Sequence, residues 1–545
     1  MIFELKINDF KQIIMVTTRS KQQDLIELPN YEEPIIVSCS EIYSALNHDL
    51  FSCIMETKYK TCDEFQEKKK KIMFNLSENS RELSKFFLFK INPLIQNASL
   101  RPYLGWENSK IDLKPFFDRF CLYLHKYYFL NKQSHVEGVI DALYHRDLWS
   151  SEFLNISEHF SSDRDYAVLY FCKDVNKIES YHKTKAMAQL YYFGKMYSMF
   201  VETSKIIFVD KSNFKVVEMS KEDVTLIQNL LSDIRKAKKI GSLIDLKDLD
   251  NPKYFPNMKI QDSLFGSIKK QYAFDCGEIT SLWWCSDLHR QKMIEKGIYN
   301  WRDKRFTAEL LSTVDSRWKN TNKQQILNRI LETNRQDPSS ADFKWMQFSD
   351  DFQPLPTKNS IYIDFEYIST MNDILYMIGV YIPENGLPES GYKVFWAKEI
   401  TLEAEKELLM EFYTFYSQLQ DTTIWYWYAE KSKWQKRCHI HQLSIEAKSA
   451  DLWEDLCELM TNGVSVYGAT NYKLKSVTKA FSEQSKIPFS YSDLDCQDGL
   501  ESMEFAMNYY KTRKEEDRIS LEKYNQLDCE AQFHILQTIL ETYFG

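Results

Sequence analysis

Apolar and polar positions change period several times along this chain, and the changes outline two α/β regions with a helical stretch between them. Residues 36–130 carry aromatic-rich apolar positions at helical spacing, as in FFDRFCLYLHKYYFL at 116–130, and predict mainly helices. Two apolar runs, VEGVIDALY (136–144) and YAVLYFCK (166–173), predict strands. A helical run follows, AMAQLYYFGKMYSMF (186–200), and then a strand, KIIFVD (205–210). This alternation predicts an α/β unit. Residues 270–310 read as a short helical module, and 336–358, with DPSS and QPLP, as a linker. Beyond it come the strand IYIDFEYI (361–368), a strand at 375–382, a helix at 401–420, the strand TTIWYWY (422–428) and further helices. That is a second α/β domain.

Composition narrows the class. A chain of 545 residues exceeds one hydrophobic core and predicts about three to five domains. With 44% hydrophobic and 15% aromatic residues but only 14 Gly and 13 Pro, it is neither disordered nor fibrous. No internal repeat or low-complexity segment is present. A net charge of −9 excludes a globally basic nucleic-acid binder, leaving local patches as the route to phosphate. Two patches stand out, Lys68–Lys71 and Arg235, Lys236, Lys238 and Lys239; each also reads as a solvated helix face. None of the 11 cysteines forms a CxxC pair, so zinc ribbons and cysteine-held iron–sulfur clusters are unsupported. Cys276, Cys285 and His289 lack a fourth ligand. Lys6, Asp9 and Lys11 break any signal-like apolar start, and no apolar run approaches the ~20 residues of a membrane span. A soluble intracellular protein of the cytoplasm or nucleus, with no membrane partner, is expected.

The sharpest chemistry lies near the C-terminus. In the strand SIYIDFEYI, Asp364 and Glu366 project from one face while Ile363 and Phe365 take the other. Two neighbouring carboxylates on an apolar strand repel one another and lose hydration unless a cation lies between them. Hard divalent cations prefer such oxygen ligands. A solvent-facing strand edge would carry the same DxE pattern. A second element follows in KYNQLDCEAQFHILQTIL (523–540), where Leu527, Ala531, Ile535 and Ile539 recur at helical spacing. Tyr524 and Asp528 share one face a turn apart, either as a carboxylate with a water-orienting phenol or as the polar start of an amphipathic helix.

Together, Asp364, Glu366 and Tyr524-xxx-Asp528 resemble the first and third motifs of the DEDDy exonucleases, most closely the YprB-like branch of the RNase H superfamily. ADLWEDL (450–456), NYKLKSVTKAF (471–481) and DGLESMEFAMNYY (498–510) resemble that branch's intervening segments in order. The resemblance implies an RNase H-like α/β domain with a mixed sheet at 355–545, acting as a metal-dependent 3′–5′ exonuclease. It also implies two Mg²⁺ or Mn²⁺ ions held by Asp364, Glu366, Glu430 and Asp528, with Tyr524 positioning the attacking water. Glu430, after the strand TTIWYWY, departs from the usual Asp of the second motif, and Asp451 competes for that place. Trp427 and Trp434 read as core residues, with base stacking as the alternative.

Further upstream, VEGVIDALY and AQLYYF resemble the GxxD strand and QxxxY helix of RecB-like PD-(D/E)XK nucleases, with Phe193 in place of Tyr. This implies a restriction-endonuclease-like α/β core with helical insertions over 1–265 and a second site of Asp141, Lys173 and Gln189. Phe171, two before Lys173, stands where that family has an acidic ligand, so the site is expected to be degenerate unless Asp165 or Asp174 substitutes. CGEITSLWWCSDLHRQKMIEKGIYNWRD (276–303) resembles the module joining such domains, placed at 266–340. It reads either as interdomain packing or as an approach to a nucleic-acid backbone through Arg290, Lys292 and Lys296. Proteins with this arrangement occur in bacteria, phages and large DNA viruses. The partners implied are nucleic acid, DNA ahead of RNA, and a helicase. Two functions stay open: a nuclease trimming ends in repair, replication or recombination, or a non-catalytic nucleic-acid-binding scaffold.

Overall fold

A computed structural model describes residues 35–545 except 64, 68–122, 147–156, 160–163, 173, 211, 261, 263, 354–358, 369–372, 385–389, 420–421, 444–452, 490, 492–493, 495 and 497–498. The protein is a multidomain α/β molecule that packs as two compact units. One comprises 1–40, 93–176 and 186–220; the other comprises 41–92, 177–185 and 221–545. Among the described residues, no helix is long and apolar enough to cross a membrane.

The first unit is built on a sheet of β1 (Val37–Ser38), β2 (Tyr123–Asn131), β3 (Val136–His145), β4 (Tyr166–Phe171), β5 (Val201–Val209) and β6 (Phe214–Glu218). Its order is β1-β3-β4-β5-β6, with β2 also paired to β3. The expected strands at 136–144, 166–173 and 205–210 fall within or overlap β3, β4 and β5, and the helix α1 (Ser180–Tyr197) links the parallel pair β4 and β5. Helix 116–130 is a correction. Its described part is β2, paired antiparallel with β3 from Tyr123↔Tyr144 to Asn131↔Val136. Aromatic density satisfies strand propensity as well as a helical face, and the partner strand decides. Phe129 is buried edge-on against Phe193, 5.7 Å between ring centres.

In the second unit, helix α2 (Lys221–Leu243) buries Ile227, Leu230, Leu231, Ile234 and Ala237 on one face. Lys236 and Lys239 are exposed, whereas Lys238 shares the packed face, where it is partly buried and pairs with Glu41 at 2.7 Å. Lys68–Lys71 lie outside the described residues. The expected module contains the helices Gly266–Asp275, Asp287–Glu295 and Ala308–Ser312, followed by α3 (Thr321–Asn334). Arg290 does not serve a nucleic-acid backbone. It is buried, donating to the carbonyls of His48, Pro252 and Phe255, with Glu278 3.6 Å away. His289 accepts from Trp318 Nε1–H at 3.1 Å and faces Asp315 at 3.2 Å, so it is a packed polar residue.

The expected linker is partly core. Met346–Phe348 forms β7, antiparallel to β13 (Val464–Val466), and Met346 and Phe352 are buried. The main sheet of this unit runs β10-β9-β8-β11-β12. Its strands are β8 (Asn359–Ile368), β9 (Ile374–Ile382), β10 (Gly391–Trp396), β11 (Thr422–Tyr426) and β12 (Trp453–Asp455). Central β8 is antiparallel to β9 and parallel to β11, giving a mixed sheet.

Alternation along β8 supplies two cores. Ile361, Ile363 and Phe365 pack with Leu408, Phe412 and Trp434 from α4 (Leu402–Tyr416) and α5 (Glu430–Ile440). Tyr362 joins Trp425 and Trp427 in a cluster that includes Ile279, Trp301, Leu327 and Ile535. The middle module therefore shares a core with the C-terminal domain. Trp427 also donates its indole N–H to the Tyr472 carbonyl at 3.0 Å; both tryptophans are core residues. After β12 come the helices α6 (Leu456–Gly463), α7 (Leu474–Glu483), α8 (Gly499–Thr512) and α9 (Glu515–Phe544).

Candidate metal centre

Asp364 and Glu366 stand on the face of β8 that α9 crosses. Two amides on that helix, seven residues apart, tie it to the strand. Asn525 Nδ2 donates to Asp364 Oδ2 at 2.7 Å and to the Asp364 carbonyl at 3.2 Å; Gln532 Nε2 donates to the Ile363 carbonyl at 2.9 Å. The approach is close because Gly379 lies opposite Asp364 in β9. A Cβ there would come within 1.5 Å of Asn525 Oδ1. This seating carries Tyr524 and Asp528 to the carboxylate pair.

The result is a convergence of acids. Among the described residues, Asp364, Glu366 and Asp528 form the group whose metal-type donor atoms all lie within 4.8 Å of one another. Glu366 and Asp528 are buried. Glu366 Oε2 accepts from Ser502 Oγ on α8 at 2.6 Å, and Asp528 Oδ1 accepts from the Tyr491 hydroxyl. Lys475 Nζ, on α7, donates to the Tyr524 hydroxyl at 2.7 Å. Glu430 is outside the 4.8 Å group, buried at the N-terminus of α5, with its Oε2 accepting from the Ala429 N–H at 3.2 Å.

Burial and mutual repulsion control the electrostatics. Burial pushes Asp364 well above the usual carboxylate range, and Asp528, Glu366 and Glu430 push it further. Burial takes Glu366 up to about 7 despite the Ser502 hydrogen bond, and Glu430 up to about 8. Asp528 is raised by burial and held back by Lys475 and the hydroxyls of Tyr491 and Tyr524. Tyr524 rises well above its ordinary value, through burial and the charges of Asp528, Glu366 and Asp364. Such a set cannot all ionise in a low-dielectric pocket without added positive charge. All-oxygen donors at this spacing fit a hard divalent cation.

A model of the RNase H superfamily, RNase_H_2, matches residues 361–540. The C-terminal domain is RNase H-like. The match spans β8 to α9 and so both halves of the acidic cluster, and it points to a nucleic-acid hydrolase. No curated protein and no solved structure matches the chain.

The other expected site is described only in part. Asp141 lies in β3, its Oδ2 accepting the Phe171 backbone N–H at 3.0 Å across the β3–β4 pair. Gln189 is buried on α1. Lys173 and Asp451 lie outside the described residues. Asp165 pairs with Arg146 at 3.3 Å.

Four residues of the C-terminal centre escaped the sequence reading: Asn525, Ser502, Lys475 and Tyr491. Asn525 and Lys475 stand inside stretches singled out for their pattern, NQLD after Tyr524 and NYKLKSV. Ser502 also stands inside a stretch singled out, DGLESMEFAMNYY, whereas Tyr491 carries no local signal; only the folded chain brings the two hydroxyls to Glu366 and Asp528.

Proposed function

We propose that the C-terminal domain is a DEDDy-type 3′–5′ exonuclease that hydrolyses phosphodiester bonds at nucleic-acid ends. The convergence of Asp364, Glu366 and Asp528 within 4.8 Å, beside a buried phenol, carries this reading. Asp364, Glu366 and Asp528 would hold Mg²⁺ or Mn²⁺, with Glu430 completing the acidic lining. Bound there, a pair of divalent cations supplies charge stabilisation at the phosphate and activates water. The Tyr524 hydroxyl orients the attacking water, and the carboxylates accept its hydrogen bonds and its proton. Burial keeps bulk water away and strengthens each of these interactions. The RecB-like resemblance of the N-terminal unit favours DNA over RNA, in repair, replication or recombination and alongside a helicase.

For the N-terminal unit, the proposal is a restriction-endonuclease-like fold that binds without cutting. At position 171 a phenylalanine backbone N–H, rather than a second carboxylate, meets Asp141. The deciding experiment offers the purified protein 5′-labelled single- and double-stranded DNA and RNA with Mn²⁺, Mg²⁺ or EDTA. Metal-dependent shortening from the 3′ end, lost in Asp364→Asn, is expected. Absence of trimming on all four substrates would leave the scaffold function in its place.

A further inference from the structure

Lys475 occupies an unusual place for a lysine: the first turn of a helix, within hydrogen-bond reach of the candidate water-orienting phenol. Helix α7 is anchored by Val477, Ala480 and Phe481, all buried. From there the Lys475 ammonium lies 4.3 Å from the centre of the Tyr524 ring and 5.2 Å from that of Tyr491. Two aromatic faces hold a cation that would otherwise sample many rotamers. Its 2.7 Å hydrogen bond enters a lone pair of the Tyr524 oxygen. A phenol has one proton and two lone pairs, so a fixed donor on one lone pair dictates where the O–H points. The same ammonium counters the charges of Asp364, Glu366 and Asp528.

We propose that Lys475 is a positioning residue of this centre, fixing the Tyr524 hydroxyl and serving as a resident counter-cation on its Asp528 side. The inference rests on the nuclease reading for its effect on turnover. Its effect on cation binding stands without that reading. Two consequences separate it from a merely structural role. Lys475 acts through Tyr524, so the two substitutions must not multiply. As a like charge near the cation site, Lys475 must also weaken metal binding while it aids turnover.

The test uses the full chain as wild type, Lys475→Met, Lys475→Arg, Tyr524→Phe and the double variant Lys475→Met/Tyr524→Phe. Melting curves identify any variant that fails to fold. On a labelled single-stranded oligonucleotide with Mn²⁺, Lys475→Met should lower kcat roughly ten- to a hundredfold, with KM little changed. In the Tyr524→Phe background it should cost less than about threefold more. Lys475→Arg should recover part of the loss. By manganese EPR, Lys475→Met should bind Mn²⁺ roughly three- to tenfold more tightly than wild type. Losses that multiply, or weaker Mn²⁺ binding in a folded Lys475→Met protein, overturn the inference. If the wild type cuts nothing, the exonuclease proposal falls and the Mn²⁺ comparison alone decides for or against Lys475. Wild type that binds no Mn²⁺ overturns both.

Discussion

Raising the pH without metal should destabilise this protein, and divalent cations should reverse the effect. The perturbation acts on carboxyls whose midpoints in the folded state lie above their unfolded values. Glu366 moves from 4.5 to about 7 and Glu430 from 4.5 to about 8, chiefly through burial. A raised folded midpoint means that the native state holds the proton more tightly than the unfolded chain. Its stabilising contribution is therefore complete below about pH 4.5 and is lost as pH rises through about 7 to 8. For Glu366 alone the loss amounts to about 3 kcal/mol. That is a large share of a folding stability that is ordinarily about 5–15 kcal/mol. In a unit of this size it corresponds to a fall in Tm of about 3–5 °C. The assay is thermal melting by circular dichroism at pH 5.5, 7.0 and 8.5, in EDTA and in saturating Mn²⁺. Wild type in EDTA should lose Tm steadily across this window, and Glu366→Gln, which carries no ionisable group there, should lose less. Mn²⁺ replaces protons as the counter-charge, so its stabilisation should be larger at pH 8.5 than at pH 5.5. A metal-free Tm that stays flat or rises relative to Glu366→Gln would refute the electrostatic argument.

Three further outcomes are expected. Asp528→Asn keeps shape but removes a charge that would hold a cation; metal-dependent cleavage should fall by about three orders of magnitude or more. Metal-free oligonucleotide affinity, measured by fluorescence anisotropy, should stay within about threefold, because it depends on basic contacts to phosphate. Gly379→Ala forces a methyl against Asn525, so it should cost about 1–3 kcal/mol in denaturant unfolding and weaken Mn²⁺ binding by shifting Asp364. Asp141→Ala should leave 3′ trimming intact in the gel assay, and abolition of trimming there with activity retained in Asp364→Asn would reverse the roles assigned to the two units.

Local patterning was enough to delineate most elements of the C-terminal domain and to nominate its acids. The alternation in SIYIDFEYI puts Asp364 and Glu366 on one face of whatever sheet contains it, and the four-residue spacing of Tyr524 and Asp528 does the same on a helix. Both follow from periods that hold inside one element. The pattern of 116–130 failed because aromatic residues serve either period, and the pairing of β2 with β3 is a non-local choice. Around 346–348 the flanking DPSS and QPLP concealed a strand whose partner lies more than a hundred residues later. Tertiary structure alone decided that strand and helix meet. Gly379 clears the space, Asn525 and Gln532 clamp α9 to β8, and three acids 164 residues apart in their span come within 4.8 Å. It also decided what surrounds them. The Ser502 and Tyr491 hydroxyls and the Lys475 ammonium come from three separate segments, and hydrogen bonds between segments leave no period in a sequence.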